Sequence, residues 1–170
     1  MDKILAYSTF ALVVSTTGLA AVTLFQLLES RRASKRQMGF QTWLEFRKWF
    51  DSPELIAARR ELAKLIRAYT PERHKEIPET VMNFFEDLGT LYILGYMDTK
   101  LADDTFSYYA VRWWEALKGY VDYERKRHNE DNTLFANFEK LAAKMRQPED
   151  VLDADEMKLF LADENNLVSK

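Results

Sequence analysis

Residues 106–120 read FSYYAVRWWEALKGY, and this stretch decides the fold. Its apolar side chains recur at alternating spacings of four and three residues, at Phe106, Ala110, Trp113, Leu117 and Tyr120. Residues at these spacings share one face of an α-helix. Two heptads of such a face are typical of helices that pack into a left-handed bundle. The stretch therefore predicts the central helix of a helical bundle.

The segments on either side show the same helical period, and none alternates with the period of two that a strand requires. Local signals mark where helices begin and end. Ser52 before a proline, and Asp98, are good N-caps, whereas Gly95 is a good C-cap. A further helix is expected from Asn132. We therefore predict an all-α fold with a compact bundle of about five helices in residues 40–148.

The C-terminal segment, residues 149–170, is acidic, with seven Asp and Glu against two lysines. Asp153 and Glu156 resemble a capping box, which predicts a short helix around residues 157–161. We treat the segment as an acidic tail that follows the helical domain.

Residues 4–28, ILAYSTFALVVSTTGLAAVTLFQLL, carry no formal charge. As a helix they extend for about 37 Å, which exceeds the hydrocarbon core of roughly 30 Å. Twelve of them are Leu, Ile, Val or Phe. These twelve favour insertion by about 4 to 7 kcal/mol as an upper bound. The stretch predicts a single transmembrane helix.

A cleavable signal peptide is the main alternative for the same stretch. It requires a basic start and a shorter apolar core. Here the start, residues 1–3, is nearly neutral, and the apolar run continues past any cleavage site near Ala20. We therefore expect a retained anchor.

Four basic residues follow the span closely, at Arg31, Arg32, Lys35 and Arg36. They define a basic juxtamembrane segment, residues 29–39, whereas Lys3 is the single basic residue before the span. By the positive-inside rule, residues 1–3 lie outside and the helical domain lies in the cytoplasm. We expect the protein in the inner membrane, in contact with the lipid bilayer.

Composition excludes several classes of function. The chain of 170 residues has a net charge of −3 and no cysteine. The charge argues against nucleic-acid binding, and the missing cysteines exclude thiolate catalysis and cysteine-ligated metals. His128 shares a helix face with Glu124, but two ligands make a weak metal site. The acidic pairs at 86–87 and 103–104 do not predict converging carboxylates. We expect no catalytic, cofactor or metal site.

Four residues are candidates for binding a protein partner: Trp49, Arg112, Trp114 and Glu115. Trp and Arg dominate the energetics of many interfaces. The alternative, which we favour, places Trp113 and Trp114 in an aromatic core and pairs Arg112 with Glu115, three residues away, at the surface. Trp49 falls off the apolar arc of its own helix and is the residue most expected to touch lipid or a partner. Residues 40–50 likewise form either the first core helix, which we favour, or a helix lying on the membrane.

Three motifs carry a family resemblance: FFEDLGTLYILGYMD at 84–98, SYYAVRWWEALKGYVDYERKR at 107–127, and LFANFEKLA at 134–142. In their order they resemble the bacterial domain-of-unknown-function family 4760. Its members look like short helical modules anchored at the N-terminus. The resemblance covers about residues 40–145, and it implies this fold and anchoring but no reaction.

The sequence alone thus leaves three functional hypotheses open. The first, which we favour, is a membrane-tethered module that binds a protein partner in the cytoplasm. The second is a small membrane effector that self-associates through its span and alters permeability; Ala11, Ser15 and Gly18 would allow close helix approach. The third is an enzyme, which nothing in the sequence supports.

Overall fold

The computed structural model describes the backbone of residues 2–68, 77–148, 150 and 152–167, and the side chains of these except 2–18, 20 and 21. In this part the chain forms six helices and no strand, which confirms the predicted all-α class. The helices are α1 (Asp2–Phe50), α2 (Pro53–Arg67), α3 (Thr80–Ile93), α4 (Thr99–Arg127), α5 (Ala136–Met145) and α6 (Ala154–Asn165).

The internal contacts of the chain separate two units, Met1–Met38 and Gly39–Lys170. The first unit is the amino-terminal part of α1. The predicted transmembrane segment, 4–28, falls in it, but its side chains at 4–18, 20 and 21 lie outside the described part. Among the residues that are described, no helix is both long enough and apolar enough to cross a bilayer.

The second unit is a bundle built around aromatic side chains. The Phe50 ring lies 5.5 Å from the rings of both Phe84 and Phe106, which come from α3 and α4. The Phe85 ring stacks on Phe138 of α5 at 5.0 Å. Burying such large rings gives a small core much of its stability. The predicted stripe of α4 is confirmed, because all five of its apolar residues are buried.

Helix ends follow the local sequence where a capping residue is available. The Ser52 Oγ accepts a hydrogen bond from Leu55 N, and the Asp98 Oδ1 accepts one from Leu101 N. Gly95 has φ 72°, a left-handed conformation that costs glycine little. These three predicted caps are confirmed. In contrast, α5 begins at Ala136 rather than Asn132, because Phe135 itself is left-handed, with φ 54°.

Helix α6 is longer than the short helix predicted in the acidic tail, and its buried residues join the core. Asp153 caps it through hydrogen bonds from Asp155 N and Glu156 N. The Phe160 ring meets Trp113 edge-on at 5.2 Å. The structure thus includes α6 in the bundle rather than in a separate tail, because an acidic segment can still present one apolar face.

Candidate interaction surface

Arg112 and Trp114 point in different directions from α4, because residues two positions apart on a helix differ by about 200° around its axis. The Arg112 guanidinium lies over the Tyr108 ring at 3.8 Å and donates to the Tyr108 carbonyl at 3.4 Å. Trp114 instead meets Phe138 of α5 edge-on at 5.3 Å. These two predicted residues therefore belong to two separate clefts.

The first cleft lies between α4 and α6 and has a volume of about 240 Å³. We name it the Tyr108 cleft; its lining is Tyr108, Arg112, Glu156, Leu159, Phe160 and Asp163. Tyr108 is 46% exposed and Leu159 is 67% exposed. Partial burial raises the pKa of Tyr108, and the positive charge of Arg112 opposes this rise. The cleft thus offers apolar surface beside one cation and two carboxylates.

The Arg112 guanidinium has no carboxylate within salt-bridge distance in the described part of the chain. The predicted pairing of Arg112 with Glu115 is wrong. The Glu115 carboxylate binds Lys118 instead, and also Arg146, the residue that follows α5, at 3.1 Å. Burial opposes ionisation of Glu115, but Lys118 and Arg146 together hold its pKa below the usual value. Arg112 is thus left stacked on an aromatic ring at the surface.

The second cleft lies between α4 and α5 and is smaller, with a volume of about 130 Å³. Trp114 forms its floor with Val111 and Ala142, and Glu139 and Arg146 stand at its rim. Glu139 also binds Arg125 at 2.8 Å. Because its rim charges are already engaged in ion pairs, this cleft has less free bonding capacity than the Tyr108 cleft.

Trp49 lies apart from both clefts, on α1. It is 38% exposed, and its ring meets Phe84 edge-on at 4.9 Å. Its neighbours point into the bundle: Phe46 and Phe50 are buried, and Trp43 Nε1 donates to Thr105 Oγ1 at 3.0 Å. Residues 40–50 therefore act as a core helix, as favoured, with Trp49 at its edge.

The four basic residues of the juxtamembrane segment, Arg31, Arg32, Lys35 and Arg36, are all exposed on α1. Arg32 binds Glu29 at 3.0 Å, and both side chains are more than half exposed. An exposed pair of this kind contributes little to stability. The cluster is therefore free to interact with other charged surfaces.

A family model described as Domain of unknown function (DUF4760) matches residues 13–145. The chain belongs to this family. The match begins inside the apolar N-terminal stretch and ends with the last residue of α5. No curated protein and no solved structure matches the chain.

The motifs behind the DUF4760 resemblance have structural roles here. The Glu86 carboxylate, in FFE, accepts hydrogen bonds from the backbone N of Asn137 at 3.2 Å and of Phe138 at 2.7 Å. It thereby caps the amino end of α5, whose own N-cap residue, Phe135, makes no side-chain bond. Sequence reasoning missed this role, because it began the helix at Asn132, which offered a local N-cap.

The glycine of the same DUF4760 motif, Gly89, allows α3 and α5 to approach closely. A Cβ at this position would lie 2.4 Å from the Asn137 carbonyl oxygen. The Asn137 side chain also donates to Thr90 Oγ1 at 3.0 Å. These motif residues therefore join α3 to α5.

Sequence reasoning also missed a buried ion pair that joins α2 to α6. Arg59 Nε and Nη2 donate to the two oxygens of Glu164 at 2.8 and 2.6 Å. The Arg59 guanidinium also lies 4.0 Å from the centre of the Phe50 ring. Burial raises the pKa of Glu164, and Arg59 opposes the shift. Glu164 lies beyond the DUF4760 match, whereas Arg59 lies inside it.

The remaining titratable candidates are dispersed in this DUF4760 protein. Asp103 accepts a hydrogen bond from the Tyr92 hydroxyl at 2.9 Å. Glu124 lies 3.6 Å from His128 Nε2 and also binds Arg127. Within the described residues, no group of three or more His, Asp or Glu is placed to hold a metal ion. Of the two clefts, the Tyr108 cleft is the one whose charged side chains form no ion pair within the described part of the chain.

Proposed function

We propose that this protein is a membrane-tethered interaction module. Residues 4–28 anchor it in the inner membrane, and the helical bundle binds a protein partner on the cytoplasmic side. The observation that carries the proposal is the uncharged stretch of 25 residues followed closely by four basic ones. An apolar stretch of that length is the ordinary mark of a membrane span.

Orientation follows from the same flanks. Four Lys or Arg stand within eight residues after the span, and a single lysine precedes it. Such asymmetry keeps the basic side in the cytoplasm. Each basic residue near an anionic leaflet adds on the order of 1 kcal/mol of attraction.

Partner binding is assigned to the Tyr108 cleft. An exposed tyrosine, an exposed leucine and an arginine that no described carboxylate pairs with stand together there. Tyr and Arg are enriched among residues that dominate interface energies. Two acids in the lining, Glu156 and Asp163, favour a partner with basic as well as apolar side chains.

Binding is proposed rather than catalysis because the two carboxyl groups whose pKa values are raised, Asp103 and Glu164, have structural partners. Glu164 is held by Arg59, and Asp103 by Tyr92. General acid–base work needs groups that can reach a substrate. No cofactor, metal or nucleic acid is part of the proposal.

Anchoring is tested by alkaline extraction of membranes from cells that express the full chain. Wild type should stay in the membrane pellet. Val14→Arg with Leu19→Arg should release the protein, because each charge costs about 2.5 to 3.5 kcal/mol in the middle of a span. Ser34→Arg with Gln37→Arg adds the same charge after the span and should leave it in the pellet. Wild type in the soluble fraction would contradict the proposal.

Partner binding is tested by placing a photo-crosslinking residue at Leu159 in the full chain, with the exposed Lys140 of α5 as the control position. We expect a heterologous adduct from position 159 alone, weakened by Arg112→Ala. Adducts from both positions alike, or from neither, would contradict the cleft assignment. An adduct formed solely between two copies would support the self-associating effector instead.

A further inference from the structure

The turn between α3 and α4 presents unusually exposed apolar side chains. Ile93 is 38% exposed, Leu94 is 60% exposed and Tyr96 is 52% exposed. Phe40 of α1 is also 44% exposed. We refer to these four residues as the Leu94 corner. Exposing such side chains together is costly in water unless another surface covers them.

The turn is held in place, so this exposure is not the result of a frayed helix end. Gly95 N donates to the Tyr92 carbonyl at 3.2 Å, and Tyr96 N donates to the Leu91 carbonyl at 3.0 Å. Together with the left-handed Gly95, these bonds form the Schellman motif that closes a helix. The backbone therefore fixes the outward positions of Leu94 and Tyr96.

The Leu94 corner stands where α1 enters the bundle. Asp98 N donates to the Gly39 carbonyl at 3.2 Å. A Cβ at Gly39 would lie 3.0 Å from Asp98 N, so α1 and the turn are in direct backbone contact. Phe40 is the next residue of α1 after Gly39, and it is also exposed.

The chain around the Leu94 corner is uncharged, which is compatible with contact to a membrane surface. Residues 88–97, LGTLYILGYM, include no charged residue. The next acid, Asp98, is engaged as the cap of α4. Tyrosine is enriched at the headgroup level of membranes, where its ring and hydroxyl meet different surroundings. The segment thus combines features of an interfacial membrane contact.

The apolar stretch ends at Leu28, eleven residues before Gly39 in the sequence. Eleven residues extend over at most about 40 Å, so the bundle stays close to any bilayer that holds residues 4–28. The exposed basic residues of α1 lie in this interval and favour anionic lipid. We propose that the Leu94 corner docks into the headgroup region of the bilayer that holds residues 4–28. This inference rests on the proposed anchoring and adds a second membrane contact, made by the bundle itself.

The test uses the full chain in vesicles of phosphatidylcholine and phosphatidylglycerol. Because the protein has no cysteine, Tyr96→Cys gives a single site for an environment-sensitive fluorophore. Lys126→Cys, at the other end of α4, is the reference site. The label at 96 should show a blue-shifted emission and be quenched by lipids with nitroxides in the headgroup region. The label at 126 should behave as in water.

Two matched variants distinguish docking of the Leu94 corner from the effect of placing a glutamate at any exposed leucine. Leu94→Glu should return the label at 96 to a water-like emission, whereas Leu159→Glu, an equally exposed leucine on α6, should not. A water-like label at 96 in protein that remains in the alkali-washed membrane would overturn docking and leave anchoring intact. A blue shift that disappears as the protein is diluted into more lipid would assign the corner to a second copy, and would also overturn the proposal.

Discussion

The Glu86 carboxylate on α3 accepts a hydrogen bond from Phe138 N, in the first turn of α5, at 2.7 Å. A side chain 52 residues earlier in the chain thus performs the task that an N-cap residue performs elsewhere. Glu86 also carries negative charge to the positive end of the α5 dipole. This contact joins two of the motifs by which the family resemblance was recognised.

Glu86→Ala should therefore destabilise the bundle. It leaves two backbone N–H groups without their acceptor, and we expect a loss of about 1–3 kcal/mol in the free energy of unfolding. Thermal unfolding followed by circular dichroism measures it. Asp87→Ala, at the exposed neighbouring position, is the control and should change stability by less than about 0.5 kcal/mol. Equal effects of the two variants would refute the capping role.

Replacing each of two glycines by alanine should change the stability of the fold in opposite directions. Gly89→Ala should destabilise by about 1–3 kcal/mol, because the new methyl group overlaps the Asn137 backbone and forces α3 and α5 apart. Gly119→Ala should stabilise by about 0.5–1 kcal/mol, because nothing lies within 4 Å of its Cβ and alanine favours the helix. Denaturant unfolding of both variants checks the pair. Changes of the same sign would contradict the close approach at Gly89.

The buried ion pair of Arg59 and Glu164 predicts that one substitution lowers the stability of the fold and that a second substitution restores most of it. Arg59→Met leaves a buried carboxylate unpaired and should cost about 3–5 kcal/mol. Adding Glu164→Leu removes that carboxylate and should recover most of the loss. Lys158→Met breaks the exposed pair with Asp155 and should cost less than about 1 kcal/mol. If the double variant is no more stable than Arg59→Met, the unpaired Glu164 carboxylate is not the cause of the lost stability.

Alkaline pH tests the contact of Tyr92 with Asp103. Burial, and then the nearby carboxylate, raise the pKa of Tyr92 from 10.0 to about 12 in the folded protein. A raised pKa contributes stability that is complete below the unfolded value and lost as pH rises through the folded one. Wild type should thus lose stability relative to Tyr92→Phe between pH 10 and about 12. Urea unfolding at several pH values measures the gap; a constant gap would contradict the shift.

Local sequence was sufficient where a helix end depends on its own residues. Ser52, Asp98 and Asp153 each cap the helix that follows them, and Gly95 ends α3. The buried face of α4 was equally predictable, because apolar residues that recur with the period of a helix indicate which of its faces is buried. These features needed no knowledge of neighbouring helices.

Non-local contacts could not be read in the same way. The role of Glu86 depends on which helix faces α3, and Glu115 pairs with Lys118 and with the distant Arg146 rather than with Arg112. Helix α6 was predicted only as a short helix in an acidic tail that follows the domain, because acids outnumber bases there, yet Phe160 and Glu164 are buried. Composition describes a segment's average, whereas packing depends on one face of it.

The most direct test of the whole account is the topology of the anchored chain. Single cysteines at Asp2 and Lys126 are treated with a membrane-impermeant maleimide on intact bacterial spheroplasts and, separately, after lysis. We expect position 2 to react in intact spheroplasts and position 126 to react after lysis alone. Labelling of position 126 in intact spheroplasts, or recovery of the chain without its first residues in the soluble fraction, would contradict the proposed tethering.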